Sequence, residues 1–388
     1  MPSFVSEDQY INVICREGVD IREARDFAIA GCLDVHLPGR SRNHAFGMFL
    51  MPSVVELTMH NGVAPSTGAQ IGEKTGSFAD FKTFEEFYEA FKKQLTKLVG
   101  MVCEEHNILL MVAREKFPDV VSSALYHDGL KLGLDGLNRR MMFENGACLN
   151  CVGMANAGDE LAAIKKLVFD DKVVTAEKLL EAIDANWEGY EDLRKQCLAA
   201  PKYGNNIDYV DEICARLWSD TEQIARQYKT IFDAPLLISG VSISAHAPGG
   251  ASVGATPEGR FAGETFADGS TSPEQGKDTN GPLAVFQSAM KLDQTKFQAT
   301  LMNMKFTPSA LKTDSDLMKL SSMIMTYLNN GGKQVQFNVV DQETLKDAKV
   351  HAKDHKDLIV RVAGYSAYFV NLTDRVQDEI IARTGHEL

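Results

Sequence analysis

The chain has 388 residues, 44% of them apolar and 24% charged, which is long enough for a large core and ordinary for a globular protein. A formal net charge of −13 leaves no basic stripe to neutralise phosphates, which argues against a nucleic-acid partner. Uninterrupted apolar runs such as 108–113 are far too short to span a bilayer, and Met1-Pro2-Ser3-Phe4 lacks the basic and apolar regions of a signal peptide. The seven cysteines, at 15, 32, 103, 148, 151, 197 and 214, are odd in number and scattered. That is reduced, cytoplasmic usage and not a disulfide framework.

In chain order, Asp20-Ile21-Arg22-Glu23 has the pattern of a capping box and predicts a short helix over 23–30. Gly31 would stop that helix and leave Cys32 on a loop. A second helix is predicted from Pro52 to Asn61-Gly62, a strong one over 85–105 and a shorter one over 160–169. Thr175 can cap a helix running to about Ala199, and Ile207, Val210, Ile213 and Leu217 keep helical spacing beyond it. From Ser239 to Gly281 glycine, serine, threonine and proline dominate, a long loop that marks a boundary or a functional segment. Leu317, Leu320, Ile324 and Leu328 then mark a helix stopped by Gly331-Gly332, and Val335, Phe337 and Val339 alternate as in a half-buried strand. A second strand is predicted over 358–363, and Asp374 with Gln377 caps a last helix ending at Gly385.

Chemistry concentrates at two places. The run Leu358-Ile359-Val360-Arg361-Val362-Ala363-Gly364-Tyr365-Ser366-Ala367-Tyr368-Phe369 sets one glycine in a strand-like stretch, where a bulge or close backbone approach is the ordinary reading. Glycine also permits something no other residue does. Without a Cβ, its Cα flattens after losing a hydrogen atom, and the unpaired electron spreads over the flanking amide nitrogen and carbonyl. Such a radical needs a thiol to exchange with, since taking hydrogen from sulfur is then nearly thermoneutral. Cys32, in Gly31-Cys32-Leu33-Asp34-Val35-His36, is the candidate, although most free cysteines are only small buried hydrophobes. Asp34 reads either as a loop cap or as a general base, which has to come within hydrogen-bond reach of its proton. His36 and His44 flank the loop, and a lone histidine is more often structural than catalytic. Phe46, Met48 and Phe49 would make an apolar wall. Cys148-Leu149-Asn150-Cys151 has no second pair or histidine at ligand spacing, so no metal site is expected.

The glycine run, followed by Val376-Gln377-Asp378-Glu379-Ile380-Ile381-Ala382-Arg383-Thr384, resembles the radical-bearing C-terminus of glycyl radical enzymes, the pyruvate formate-lyase superfamily. Gly31-Cys32-Leu33-Asp34 resembles the Gly-Cys-Val-Glu of the dehydratase and lyase groups, with the acid one methylene shorter. Asn303-Met304-Lys305-Phe306 and Gly331-Gly332-Lys333-Gln334-Val335-Gln336-Phe337-Asn338 match in order and spacing. The family implies an α/β fold, half of a ten-stranded barrel: an antiparallel five-stranded half-barrel wrapped by helices. Residues 1–255 would carry the cysteine loop and 256–388 the glycine radical domain. It implies a radical on Gly364, installed by a separate radical S-adenosylmethionine activase with an iron–sulfur cluster and passed to Cys32, with no bound cofactor. Asp34 would handle the proton, and His36, His44 and Phe46 would lie near a small-molecule substrate.

Members of the family are about twice this length, so either a separate N-terminal subunit is an expected partner or the sequence is a truncated piece; a homo-oligomer is expected as well. A glycine before Cys32, instead of a second cysteine, argues against pyruvate formate-lyase activity. A dehydratase-type elimination is the first expectation, and arylacetate decarboxylation or another C–C cleavage the alternative. Outside enzymes, a glycyl radical repair module or an inactive scaffold subunit would share the terminal motif. Pro38-Gly39-Arg40 is followed by Asn43-His44-Ala45-Phe46, without the aspartate of the diol dehydratases, which weakens a polyol substrate.

Overall fold

The computed structural model of the chain describes residues 2–42, 45–144 and 148–387. Strand β1 (Ser3–Val5) leads into helix α1 (Glu7–Arg16), and a hairpin of β2 (Ala28–Ala30) and β3 (Asp34–His36) follows. Strand β4 (Ala45–Leu50) runs directly into α2 (Met51–Met59), and the 33-residue α3 (Phe84–Lys116) packs beyond it. Thr83 caps α3 by accepting from the Glu86 amide, with Glu85 and Glu86 in its first turn and Arg114 and Lys116 in its last. Phe84, Phe87, Tyr88, Phe91, Leu95, Val99 and Cys103 recur at three- and four-residue spacing and are buried along one side of α3.

Strand β5 (Cys148–Val152) and α4 (Met154–Ile164) come next, then α5 (Ala176–Asp184), α6 (Glu191–Ala199) and α7 (Asp208–Ala225). Strand β6 (Leu237–Ser239) precedes the glycine-rich segment, and β7 (Asn303–Phe306), α8 (Asp314–Asn329) and β8 (Gln334–Val339) follow it. A second hairpin, β9 (Ile359–Arg361) and β10 (Ser366–Tyr368), then α9 (Asp374–Ala382) and the short β11 (Gly385–His386), complete the chain.

Strands β4, β5 and β6 form one sheet, and β1, β8, β7 and β11 another. The Gln298 amide donates to Ile238 O at 2.8 Å and the Gly240 amide to Ala299 O at 2.9 Å, so the run leading into β7 continues the sheet from β6. The strands of the expected half-barrel are thus β4-β5-β6, joined through residues 298–299 to the second sheet, in which β7 lies between β8 and β11. Their direction differs from expectation. The pairs β4–β5, β5–β6 and β7–β8 are parallel, and β1 on β8 is antiparallel. The reason lies in the connections: β4 and β5 are separated by α2 and α3, and β5 and β6 by α4 to α7. Only crossovers of that length return a chain to the same end of a sheet. The main core lies between the helices and these strands, with Phe49, Leu149, Cys151 and Ile238 packed against Met154, Phe87 and Leu217.

Four expectations change. Residues 28–30 are a strand and not the end of a helix; the helix here is only Ile21–Ala24, capped by Asp20 accepting from the Arg22 amide. Ala28, Ile29 and Ala30 suit either state, and pairing with Asp34–His36 decides it. The helix expected from Thr175 to Ala199 is two, α5 and α6, because Asn186, Trp187 and Gly189 take positive φ to bring Trp187 into the core. Strand β8 is buried on both faces from Gln334 to Asn338: Val335 and Phe337 pack with Phe286, Ile324 and Tyr327, while Gln336 and Asn338 on the other face bond Asn303 and Arg361. Thr373, and not Asp374, precedes α9, without a side-chain cap.

The glycine-rich segment is largely buried, which a loop tolerates only if its backbone polar groups are paired. Arg260, 2% exposed, does much of that pairing. Its guanidinium donates to the carbonyls of Glu264 at 2.8 Å, Gly250 and Val253 at 3.3 Å, and Gly254.

Candidate active site

Both loops of interest are hairpin tips. In the first, Ala30 pairs with Asp34, and Gly31, Cys32 and Leu33 make the turn, with Gly31 at φ +57°. In the second, Arg361 pairs with Ser366, the Val362 amide donates to Tyr365 O at 2.9 Å, and Ala363 and Gly364 form the tip. Gly364 has φ +84°, a conformation that L side chains rarely adopt. The tips meet. A methyl group placed on Gly364 Cα would lie 2.4 Å from Cys32 Cβ and 2.9 Å from Cys32 Sγ, so only glycine fits. The Gly364 Cα is thereby within roughly 4.5 Å of the sulfur, given a carbon–carbon bond of about 1.5 Å. Leu33, Val241, Ala299, Leu301 and Ala363 pack around the junction and exclude water from its sides.

Cys32 is half-buried, and burial, with Asp34 close by, pushes its thiol pKa up against a smaller opposing effect of Arg361. At neutral pH it therefore keeps its S–H. Burial pushes Asp34 up to about 6, partly offset by Gln298, whose side-chain amide donates to Oδ1 at 2.8 Å. Gly31, Cys32 and Asp34 thus form one local unit, with the Asp34 carboxylate on the strand that leaves the cysteine turn. His36, two residues on, is buried, with Nδ1 3.1 Å from Ser41 Oγ; that hydroxyl also accepts from the Leu37 amide. Burial lowers the His36 pKa and favours the neutral ring. His44 lies outside the described residues, and Phe46 is placed only by its backbone in β4. Of the other two residues expected in the apolar wall, Phe49 turns into the main core and Met48 is exposed, since neighbouring strand residues face opposite sides. Cys151 is likewise a core residue, and among the described residues no group of three or more His, Cys, Asp or Glu could hold a metal ion.

Sequence reasoning missed the polar residues that hold the glycine tip. Asn303 donates from its amide to Val362 O at 3.0 Å and to Asp268 Oδ2 at 2.8 Å. Asn338 accepts from the Arg361 amide at 2.7 Å and donates to its carbonyl at 2.8 Å. Arg383 donates to the carbonyls of Arg361 at 3.0 Å and Val362 at 2.9 Å, and is paired with Glu379 and Asp268. Arg361 Nη2 donates to Gly364 O at 2.9 Å. The available signal was the polar alternation Gln334, Gln336, Asn338, which reads as an exposed face until the strand is known to be central.

Two family descriptions match the chain: pyruvate formate lyase-like over residues 1–250 and glycine radical over residues 267–370. The chain belongs to the pyruvate formate lyase-like family of glycyl radical enzymes. It is 35% identical over 384 residues to trans-4-hydroxy-L-proline dehydratase of Clostridioides difficile, covering 99% of this chain and 48% of that protein. It is 35% identical to isethionate sulfite-lyase of Bilophila wadsworthia, covering 100% and 47%. The solved B12-independent glycerol dehydratase of Clostridium butyricum, in its glycerol-bound form, superposes with a TM-score of 0.96 at 34% identity, over 100% of this chain and 49% of that one. The chain thus spans about half the length of the glycyl radical enzymes it matches. Cys32 and Asp34 lie in the part matched as pyruvate formate lyase-like, and Gly364 in the part matched as glycine radical. Among the described residues no helix is long and apolar enough to cross a membrane.

Proposed function

We propose that this chain is the catalytic half of a glycyl radical lyase of the dehydratase type, with Gly364 storing the radical, Cys32 relaying it and Asp34 acting as base. The observation that carries this is the contact of the two hairpin tips, where the Gly364 Cα abuts a thiol that keeps its hydrogen. In the relay the S–H bond of Cys32 breaks and a C–H bond forms at Gly364, one hydrogen atom moving with its electron. The thiyl then takes a hydrogen atom from a substrate carbon, Asp34 takes the proton of the hydroxyl on that carbon, and a group on the neighbouring carbon leaves. The apolar walls around the tips shield the flanks of the relay, and the rest of the barrel closes the side they leave open.

The radical is first installed by a separate activase using S-adenosylmethionine and an iron–sulfur cluster. The rest of the barrel, in the same polypeptide or in a separate subunit, supplies the remaining pocket. The relatives' hydroxyproline, isethionate and glycerol chemistry makes a small hydroxylated molecule the substrate class, and the carboxylate two residues beyond the cysteine favours elimination.

Anaerobic activation followed by electron paramagnetic resonance tests the assignment. A doublet is expected from the unaltered protein and none from Gly364→Ala; a doublet that persists in that variant refutes it. Cys32→Ala should keep the doublet and lose turnover. Retained rescue of a damaged partner enzyme by Cys32→Ala would instead support a repair module.

A further inference from the structure

We propose that Arg361 is a further catalytic residue of this relay, setting through the Gly364 carbonyl how far the unpaired electron leaves the Gly364 Cα. The inference rests on the assignment of Gly364 as the radical carrier. The geometry behind it is specific. Nη2 of Arg361 donates to Gly364 O at 2.9 Å, Nε donates to Gln336 Oε1 at 2.7 Å, and Nη1 reaches Ser366 Oγ at 3.3 Å. The backbone of Arg361 is itself pinned on both polar groups by Asn338, and its carbonyl also accepts from Arg383. Gln336 and Asn338 are 0% and 1% exposed, so the cation is aimed from a rigid mount. No carboxylate lies within ion-pair distance of Arg361 among the described residues. Its charge is therefore delivered to an amide, a hydroxyl and the glycine carbonyl.

That carbonyl is where a cation has an electronic effect. In a glycyl radical the amide nitrogen donates electron density and the carbonyl withdraws it. Negative charge develops on the carbonyl oxygen and spin moves from Cα towards nitrogen. A fixed cationic donor on that oxygen stabilises the charge-separated form, as preorganised donors do wherever charge develops. No bond is made or broken by Arg361. It lowers the energy of one side of the exchange, the glycyl radical with the intact Cys32 thiol, relative to the other, the intact glycine with the thiyl. The stored electron then rests on glycine and visits sulfur only when substrate draws it on.

Arg361→Met, Arg361→Lys and Gln336→Glu test this together. The first removes the donor, the second keeps a charge with a less matched donor, and the third sets a carboxylate against Nε and neutralises the guanidinium in place. The α-proton splitting of the doublet reports spin density on Cα and not the placement of the loop. It should widen in Arg361→Met, widen less in Arg361→Lys and widen in Gln336→Glu. With 15N-glycine labelling, the nitrogen coupling should fall as the proton splitting rises. Radical yield in Arg361→Met should drop by about tenfold, the effect of one charged hydrogen bond. A splitting unchanged in every variant that forms a radical overturns the proposal while leaving the carrier assignment intact. Absence of a doublet from the unaltered, activated protein overturns the assignment instead. Where Arg361→Met fails to fold, Gln336→Glu decides.

Discussion

At the scale of single residues, Asp34 is set between two opposed demands. Burial raises its pKa from 3.8 to about 6, so between those values the folded chain holds a proton that the unfolded chain has released. Stability therefore falls as pH rises through that window and is level above it, by up to about 3 kcal/mol for a shift of this size. The proposed chemistry needs the carboxylate, so log kcat/KM should climb with unit slope through pH 6 and level above it. Activity gains over the window in which stability is lost. Asp34→Asn should lower turnover by about 10²–10⁴-fold and abolish this fall in stability, which thermal melts from pH 4 to 7 would reveal. Gln298 donates to Asp34 and opposes the upward shift, so Gln298→Ala should move the rising limb to higher pH. A limb that stays put would separate Asp34 from the proton step.

At the scale of elements, the site is two hairpin tips held from opposite ends of the chain, and that determines how much was legible beforehand. Cys32 and Gly364 could each be singled out, because a thiol after a glycine and a glycine within an apolar run are local patterns. That the cysteine sits on a hairpin was not legible. Ala28-Ile29-Ala30 has no strong preference, and the partner strand that settles it has only three residues. Asn303, Asn338 and Arg383 were also hidden, since polar residues normally mark solvent and here fill a central sheet and hold the carbonyls of the glycine tip. Long amphipathic elements such as α3 and α8 were read well, because their apolar spacing persists over many turns.

The same elements yield a prediction about α9. Burial alone would raise the Glu379 carboxyl, yet Arg383 and His246 hold it well below the usual range, so its stabilising effect is present at neutral pH and lost as pH falls below about 4. Glu379→Gln leaves Arg383 with Asp268 as its remaining buried carboxylate, which costs about 1–3 kcal/mol. Amide hydrogen exchange in the β9–β10 hairpin should then speed up by about tenfold or more, with β4 to β6 unchanged. Equal acceleration in both sheets would mean that α9 supports the whole fold and not the glycine tip.

At the scale of the whole molecule, the two sheets, linked through residues 298–299, leave strand edges open. Strand β4 ends the order on one side, and on the other β1 covers β8 with three residues and leaves Phe4 38% exposed. Unpaired sheet edges are templates for further chain, and the matched relatives have about as much chain again. The Cys32 tip is half-buried by this half alone, which is too open for radical intermediates that water or oxidants would quench. The proposed complement should therefore close the site as well as extend the barrel. Iodoacetamide offers a direct measure. In this chain by itself Cys32 should alkylate slowly at neutral pH and faster as pH rises, because burial holds the thiol protonated. Mixed with a polypeptide spanning the first half of a relative, Cys32 should become protected in step with formation of an equimolar complex, and activation should then give turnover. If this chain turned over substrate at full rate by itself, or if Cys32 stayed equally reactive in the complex, the proposed complement would not be what shields the relay.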